Sequence, residues 1–377
     1  MSQTSGRALV ALFGYDSSLY TQKVQHILRL KQIPYTFVTV PSMMPRPVLK
    51  DNFNISYRKI PALALDRDIY LDTSIICEAL EQRFPASDGY QTMYPPNSSG
   101  GTNRSVIRGM ASYWTDRPVF RATCGLMPTA VWRSKFGQDR AQLIGHKLDP
   151  DKLQKKMPEK LSEVDMQCSM LEAMLEDTAP GSTWIFDTKT PSMADVAWYV
   201  QLDWGWKNSQ GAYIDNLTAG DASSNESDLR MDPVFNEDRY PRVLQWFNDV
   251  KQYLEQQPST QTRVEDSDTA KISELLKQIT NIPATADVPL LRTPAPPFTD
   301  LDAKSGLVKG ATVAIAPDDT GRGDPTTGRL LATSPEEIVI APEPMDGKAP
   351  SVGDIRLHFP RLGFVTRVVT KGTGAKL

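Results

Sequence analysis

Two adjacent serines, Ser17 and Ser18, lie where a short apolar run, "ALVALFG", ends and a pattern of apolar residues at helical spacing begins. The first N–H groups of a helix have no partner within it, and the helix dipole favours negative charge at that end. A serine hydroxyl there could help to stabilise an anion. The simpler alternative is that one serine only caps the helix, and the residues alone leave both open.

A third hydroxyl, Thr73, follows Asp72 at the start of "DTSIICEALEQRFP", whose apolar residues recur every four positions until the proline ends the pattern. Free N–H groups at this second helix start would suit a carboxylate. An ordinary N-cap is compatible with that role.

An aromatic stripe with an arginine is found in "MASYWTDRPVF", where Met110, Tyr113, Trp114 and Arg117 recur at helical spacing. Aromatic rings beside a guanidinium would suit a planar, acidic, aromatic compound. The alternative is that the stripe packs in a helical core.

The composition excludes several classes of protein. The chain has 377 residues, a net charge of -3, 40% hydrophobic and 23% charged residues, which is ordinary for a globular protein and provides no basic field for nucleic acid. Three scattered cysteines indicate a reducing compartment. The apolar N-terminal run is too short for a membrane span. We therefore expect a cytoplasmic protein that binds neither nucleic acid nor membranes.

The order of predicted elements divides the chain into parts. Residues 1–88 follow β-α-β-(α)-β-β-α, a small α/β unit with a mixed sheet. Residues 100–258 are helical, with a polar insertion at about 206–239. Residues 259–300 are a predicted linker with one helix, and five short β-type runs in 301–377 indicate a small all-β domain of the barrel or roll kind.

Four stretches, "SLYTQKV", "RKIPALALD", "YLDTSIICEALEQRFP" and "PSMADVAW", resemble the glutathione S-transferase superfamily in their order and separation across residues 8–256. Members join a thioredoxin-like α/β domain to an all-α domain, so the resemblance implies that fold, followed here by the β-domain. The three-part layout is similar to some fungal transferase-like proteins, certain of which serve secondary-metabolite pathways.

The resemblance implies a catalytic residue. Ser18 falls where Ser-type members hold their catalytic serine. Ser17 is the alternative donor, and Tyr15 or Tyr20 could donate a phenol O–H in its place.

The resemblance also implies a site for glutathione. Pro61 matches a proline that the family holds cis, and Ile60 matches the residue whose backbone pairs with the cysteinyl unit. Lys59 matches a lysine that reaches the glycyl carboxylate in some classes. Asp72 and Thr73 stand where the family usually has a Glu-Ser pair that holds the γ-glutamyl end of glutathione. Because the Asp72 side chain is one methylene shorter than Glu, Thr73 matches the family pattern better than Asp72 does.

Serine and helix together can account for thiol activation. A thiol with a pKa of about 8.5 is about 3% ionised at neutral pH, and lowering that pKa by roughly 2 units requires about 2.7 kcal/mol of thiolate stabilisation. A charge-assisted hydrogen bond from Ser18 contributes roughly 1.5–3 kcal/mol and the helix end up to about 1 kcal/mol. No metal or general base is needed.

The implied function is a glutathione-dependent transferase that activates the thiol for addition to a small hydrophobic or aromatic electrophile, in a biosynthetic or detoxification pathway. Isomerisation or reduction with glutathione is a variant of the same chemistry. Tyr113, Trp114 and Arg117 are the candidate electrophile contacts, and the family implies a homodimer. The alternative class is a non-catalytic scaffold or interaction module, which has no need to keep Ser18.

Overall fold

The computed structural model describes residues 8–222 and 229–369, and the predicted three-part fold is confirmed. The first part is an α/β unit of four strands and three helices. In chain order its elements are β1 Val10–Gly14, α1 Leu19–Leu30, β2 Tyr35–Thr39, α2 Pro47–Phe53, β3 Ala62–Leu65, β4 Asp68–Leu71 and α3 Thr73–Arg83.

The second part is helical. Its elements are α4 Arg104–Gly109, a π-helical segment Met110–Val119, α5 Phe120–Cys124, α6 Thr129–Arg133, α7 Lys135–Ile144, α8 Pro150–Lys155, α9 Met157–Glu176, α10 Met193–Ser209, α11 Ile214–Thr218 and α12 Pro241–Gln256. Ser192 caps α10 and forms a capping box with Asp195. Helix α10 extends to Ser209, so the irregular stretch begins later than residue 206.

The third part contains the remaining strands and two helices. They are β5 Gln261–Val264, α13 Thr269–Asn281, α14 Thr299–Lys304, β6 Thr312–Pro317, β7 Thr326–Thr333, β8 Glu337–Pro342, β9 Arg356–Pro360 and β10 Phe364–Val368. The helix predicted between residues 259 and 300 is present as α13. Strand β5 was not anticipated, because its sequence, "QTRV", is largely polar.

The ten strands found in the described residues form one sheet in the order β10-β6-β7-β8-β9-β4-β3-β1-β2-β5. The C-terminal strands are a β-rich unit as predicted, but they continue the N-terminal sheet instead of closing into a barrel of their own. The junction is a parallel pairing of β4 with β9, in register from Asp68 opposite Arg356 to Tyr70 opposite His358.

The sheet separates two hydrophobic cores. Successive β1 residues point to opposite faces, so Leu12 packs against α1, α3 and the helical domain, whereas Phe13 packs with α2, α13 and the C-terminal strands. Both side chains are fully buried. Each of the three parts therefore shares a core with the sheet.

A buried ionic cluster holds the junction of β4 and β9 together. The two ring nitrogens of His358 contact the carboxylates of Asp68 at 2.9 Å and Glu337 at 3.1 Å, and the ring stacks on Tyr70. Arg356 donates two hydrogen bonds to Asp68. Burial alone would lower the pKa of His358, but the two carboxylates raise it above its ordinary value.

This cluster gives the fold a defined pH dependence. The pKa of His358 is higher in the folded protein than in the unfolded chain, where it is about 6.5. The stability that protonated His358 contributes is therefore complete below about pH 6.5 and is lost as pH rises through the folded-state pKa. We expect the free energy of unfolding to fall with pH above about 6.5, and His358→Asn to flatten that slope. Denaturant unfolding at a series of pH values from about 6 to about 9 measures this dependence of the unfolding free energy on pH. His146→Asn, which changes an exposed histidine, is the control, and equal slopes in wild type and His358→Asn would contradict the assignment.

Candidate functional site

Three candidate segments meet at one end of the sheet. Strand β1 runs towards Ser18, and β3 begins just after Ile60 and antiparallel to β1, with Phe13 opposite Ala62. Ala62 is also opposite Leu71, the last residue of β4. The N-termini of α1 and α3 and the turn before β3 therefore share this end of the sheet, which we call the site end.

Ser18 caps α1. Its backbone is extended, with φ -80° and ψ 110°, and its Oγ accepts a hydrogen bond from the N–H of Thr21 at 3.2 Å. The hydroxyl can still donate, because an O–H group has both a proton and lone pairs. The first turn of α1 contains no acidic residue, so no side chain of the helix neutralises its positive end. Capping and anion stabilisation are compatible here.

Ser17 is held against the helical domain. Its N–H donates to the Asn216 side chain at 3.0 Å, and its C=O accepts from the Trp204 indole at 2.9 Å. Its Oγ is enclosed and has no hydrogen-bond partner among the described residues. Both serines are buried, Ser17 at 1% exposure of the residue and Ser18 at 5%.

The two candidate tyrosines differ in their hydrogen bonds. The Tyr20 hydroxyl donates to the backbone C=O of Asp116 at 3.0 Å. Burial, and then the charges of Asp116 and Asp72, raise the pKa of Tyr20 well above its ordinary value. The Tyr15 hydroxyl accepts from Arg140 at 3.3 Å and keeps its proton for another acceptor. Tyr15 therefore remains an alternative donor to the thiolate, whereas the Tyr20 hydroxyl already donates its proton to the Asp116 backbone.

Ile60 has an unused backbone. The Ile60–Pro61 peptide bond is cis, as the resemblance implied. Neither the N–H nor the C=O of Ile60 forms a backbone hydrogen bond with another described residue, and the ladder of β3 begins only at Ala62. Such a pair of groups beside a strand can bind an extended peptide by adding to the sheet.

The start of α3 is already partly satisfied from within the chain. Asp72 caps the helix by accepting from the N–H and hydroxyl of Ser74 at 2.9 and 2.6 Å. Asp72 has a φ of +87°, an unusual backbone conformation for a non-glycine residue. The hydroxyl of Thr73 donates to Asp116 of the π-helical segment at 3.3 Å.

Asp116 is the centre of a buried interdomain network that sequence reasoning missed. Both of its carboxylate oxygens lie 2.9 Å from the Lys23 ammonium of α1, which also donates to the backbone of Ala111. Burial raises the pKa of Asp116, although the Lys23 charge opposes that shift. No local pattern indicates this network, because the Asp116 and Lys23 side chains come from different domains.

Lys59 binds a carboxylate of its own chain. Its ammonium lies 2.5 Å from Asp319, in the loop between β6 and β7. Burial would raise the pKa of Asp319, but the Lys59 charge and hydrogen bond hold it below its usual value. Sequence reasoning missed this loop contact as well, since a run such as "DDTGRGD" predicts a turn but not the residues that the turn touches.

The predicted electrophile contacts separate into two groups. The Trp114 indole donates to Gln167 of α9 at 2.8 Å and packs on the fully buried Trp198, so Trp114 belongs to the helical core. For Trp114, the structure therefore agrees with the alternative given in the sequence analysis, in which the aromatic stripe packs in a helical core. Tyr113 is exposed, and the Arg117 guanidinium lies over its ring at 5.5 Å from the centroid.

The cysteines of the chain are not poised for thiol chemistry. Burial raises the pKa of Cys124 and of Cys168 to about 12 and that of Cys77 further still. All three are free thiols, and Cys77 and Cys168 pack in the hydrophobic core. Among residues 8–222 and 229–369, no group of His, Cys, Asp and Glu is arranged to hold a metal ion. Within the same ranges, no helix is both long and apolar enough to cross a membrane.

Two family models match the chain. Residues 12–88 match the glutathione S-transferase N-terminal domain, and residues 123–223 match a domain of unknown function, DUF7962. A sequence comparison with functionally curated proteins finds no match.

Solved structures are similar over most of the chain. A GST-like protein from Pseudomonas syringae is 21% identical, covers 96% of this chain and 99% of its own, and superposes with a TM-score of 0.58. A tau class glutathione S-transferase from mango is 14% identical over 72% of this chain and 98% of its own, with a TM-score of 0.43. A rice glutathione transferase crystallised with glutathione is 18% identical over 71% and 98%, with a TM-score of 0.41. The Pseudomonas syringae structure shows that the fold of this chain, C-terminal strands included, occurs in another solved protein.

Proposed function

Because the chain belongs to the glutathione S-transferase superfamily, we propose that it binds glutathione at the site end of the sheet and activates the thiol as a thiolate. The reaction is addition of that thiolate to a small hydrophobic or aromatic electrophile. A cytoplasmic location, with a role in a biosynthetic or detoxification pathway, is part of the same proposal.

The observation that carries the proposal is the unused backbone of Ile60. A tripeptide can add to the sheet through these two groups, since antiparallel or parallel strand addition needs one free N–H and one free C=O. The N-terminus of α1 lies at the same end of the sheet, so the thiol of a tripeptide bound there would approach Ser18.

Ser18 then acts as the donor to sulfur. Its Oγ keeps the cap to Thr21 while its proton turns to the thiolate, and the positive end of α1 adds to the stabilisation. At the far end of the tripeptide, Thr73 and the start of α3 would meet the γ-glutamyl carboxylate, with Asp72 as the helix cap. Lys59, once released from its ion pair with Asp319, is the cation proposed for the glycyl carboxylate.

Tyr113 and Arg117 are the proposed contacts of the electrophile. The guanidinium stacked on the ring offers an apolar face and a positive charge together, which suits an aromatic acid. Trp114 supports this pair from the core through its bond to Gln167.

Binding and turnover test the proposal directly. We expect the protein to be retained on immobilised glutathione, to be eluted by free glutathione, and to conjugate a chloronitroarene faster than the uncatalysed reaction. Lack of retention, with no binding by calorimetry up to about millimolar glutathione either in wild type or in a variant without the Asp319 carboxylate, would reject the glutathione site.

A non-catalytic scaffold is the second candidate, favoured by one observation. Lys59 and Thr73, two of the groups assigned to glutathione, already contact Asp319 and Asp116 of the same chain. Retention on glutathione without turnover of a broad panel of electrophiles would favour this candidate. A homodimer, which the family implies, is also a proposal, and the mass in solution measures it.

A further inference from the structure

A loop of the C-terminal domain lies across the site end of the sheet. Residues 318–325, here named the strap, connect β6 to β7. On the N-terminal domain the strap reaches two consecutive cations: Asp319 pairs with Lys59 at 2.5 Å, and Asp324 lies 3.6 Å from Arg58. These contacts join residues about 260 positions apart in sequence.

The same loop contacts the helical domain. Asp318 lies 3.3 Å from the guanidinium of Arg117, and the N–H of Gly321 donates to the backbone C=O of Leu143 at 2.7 Å. The strap therefore bridges the N-terminal and helical domains, and it contacts one proposed site residue on each of them, Lys59 and Arg117.

The carboxylate of Asp319 lies among the groups of the site. Burial raises the pKa of Tyr57 well above its ordinary value, and the charges of Asp72 and then Asp319 add to that effect. The ion pair with Lys59 places Asp319 beside the turn that precedes β3. An anionic ligand that entered the site would find Lys59, the cation proposed to bind it, already paired with Asp319.

We propose that the strap is an autoinhibitory closure of the glutathione site, in which Asp319 occupies Lys59 until the carboxylate of an entering thiol peptide displaces it. This inference rests on the proposed function. The ligand class that opens the strap is a small anionic peptide, since a neutral ligand has no charge with which to compete for Lys59.

The strap is built so that it can open. Its three ion pairs have partly exposed carboxylates, with 41%, 39% and 45% exposure for Asp318, Asp319 and Asp324, and solvent-screened pairs of this kind are individually weak. Gly321 at its apex has a φ of +80°, and a Cβ there would lie 3.1 Å from a methyl carbon of Leu143. Closure therefore depends on several weak contacts made together.

Asp319→Asn is the direct test, with Asp346→Asn as its matched control. Asp346 also forms an exposed ion pair between the C-terminal and N-terminal parts, at 2.9 Å from Lys50, but lies outside the strap. We expect Asp319→Asn to bind glutathione about three- to tenfold more tightly by calorimetry, and Asp346→Asn to bind as wild type does.

A second variant and a second readout guard against a folding defect. Gly321→Ala loosens the apex without changing charge and should shift affinity in the same direction. Trypsin reports strap opening separately, because Arg322 is exposed at the turn of the strap. Cleavage after Arg322 should be faster in Asp319→Asn than in wild type, and S-methylglutathione should accelerate it in wild type.

The outcomes separate the two proposals. Tighter binding by Asp319→Asn, or binding by this variant alone, supports the closure. If wild type binds glutathione and neither Asp319→Asn nor Gly321→Ala binds more tightly, the closure is wrong and the proposed function stands. If neither wild type nor these variants bind glutathione, the proposed function fails and the closure fails with it.

Discussion

Ser18→Ala is expected to raise the pKa of protein-bound glutathione by about 1–2 units and to lower kcat/KM about 10- to 100-fold near neutral pH. The reason is the loss of one charge-assisted hydrogen bond to sulfur, while the peptide contacts of Ile60 stay in place. The thiolate absorbance of the complex against pH measures the first effect, and conjugation of a chloronitroarene measures the second. The dissociation constant for glutathione should change little.

The substitution also removes the cap of α1, which costs about 1 kcal/mol of stability, so folding must be controlled for. Ser18→Thr retains both hydroxyl and cap and should keep most of the rate. Ser17→Ala changes the neighbouring enclosed hydroxyl and should leave the thiol pKa unaltered. If the pKa of bound glutathione in Ser18→Ala stays as low as in wild type, and that in Tyr15→Phe is raised, the donor is Tyr15 instead.

Asp116→Ala is expected to lower the free energy of unfolding by about 3–5 kcal/mol. The Lys23 side chain is only 2% exposed, and removal of both carboxylate oxygens would leave its ammonium buried with only the Ala111 carbonyl as acceptor. The Thr73 hydroxyl would lose its acceptor too. Denaturant unfolding with a two-state fit, or the shift in Tm, measures the loss.

Two comparisons isolate the buried charge as the cause. Asp165→Ala removes a carboxylate that pairs with the exposed Arg239, and it should cost about 1 kcal/mol or less. The double variant Lys23→Met with Asp116→Leu should recover much of the loss, because it removes both charges and fills the space with apolar atoms. Equal destabilisation by the single and double variants would instead indicate that packing at residue 116 decides stability.

Features encoded by neighbouring residues could be predicted from the sequence. The helix start at Ser18 and the end of α3 before Pro85 follow from capping preferences and helical spacing. The capping box of α10 is a local feature of the same kind, since Ser192 and Asp195 are three positions apart. These features depend on hydrogen bonds within one turn of the chain.

Features that depend on distant residues could not be predicted. Strand β5 has a polar sequence and is a strand only because β2 offers an edge to pair with, from Tyr35 opposite Gln261. Asp319 meets Lys59 because the ten-stranded sheet places two remote loops together. Single-sequence patterns give the type of each element, whereas pairings of this kind follow from the three-dimensional arrangement of the whole chain.

The pairing of β4 with β9 has a consequence for assembly through strands. Both neighbours of β4 belong to its own chain, so in the described part of the protein this strand has no backbone groups left for another molecule. The free margins of the sheet are β5 and β10. On β5, Arg263 is bound by Asp16 and Glu265, and charged side chains of this kind discourage a foreign strand from docking. Self-association of this protein by strand addition at β5 is therefore disfavoured.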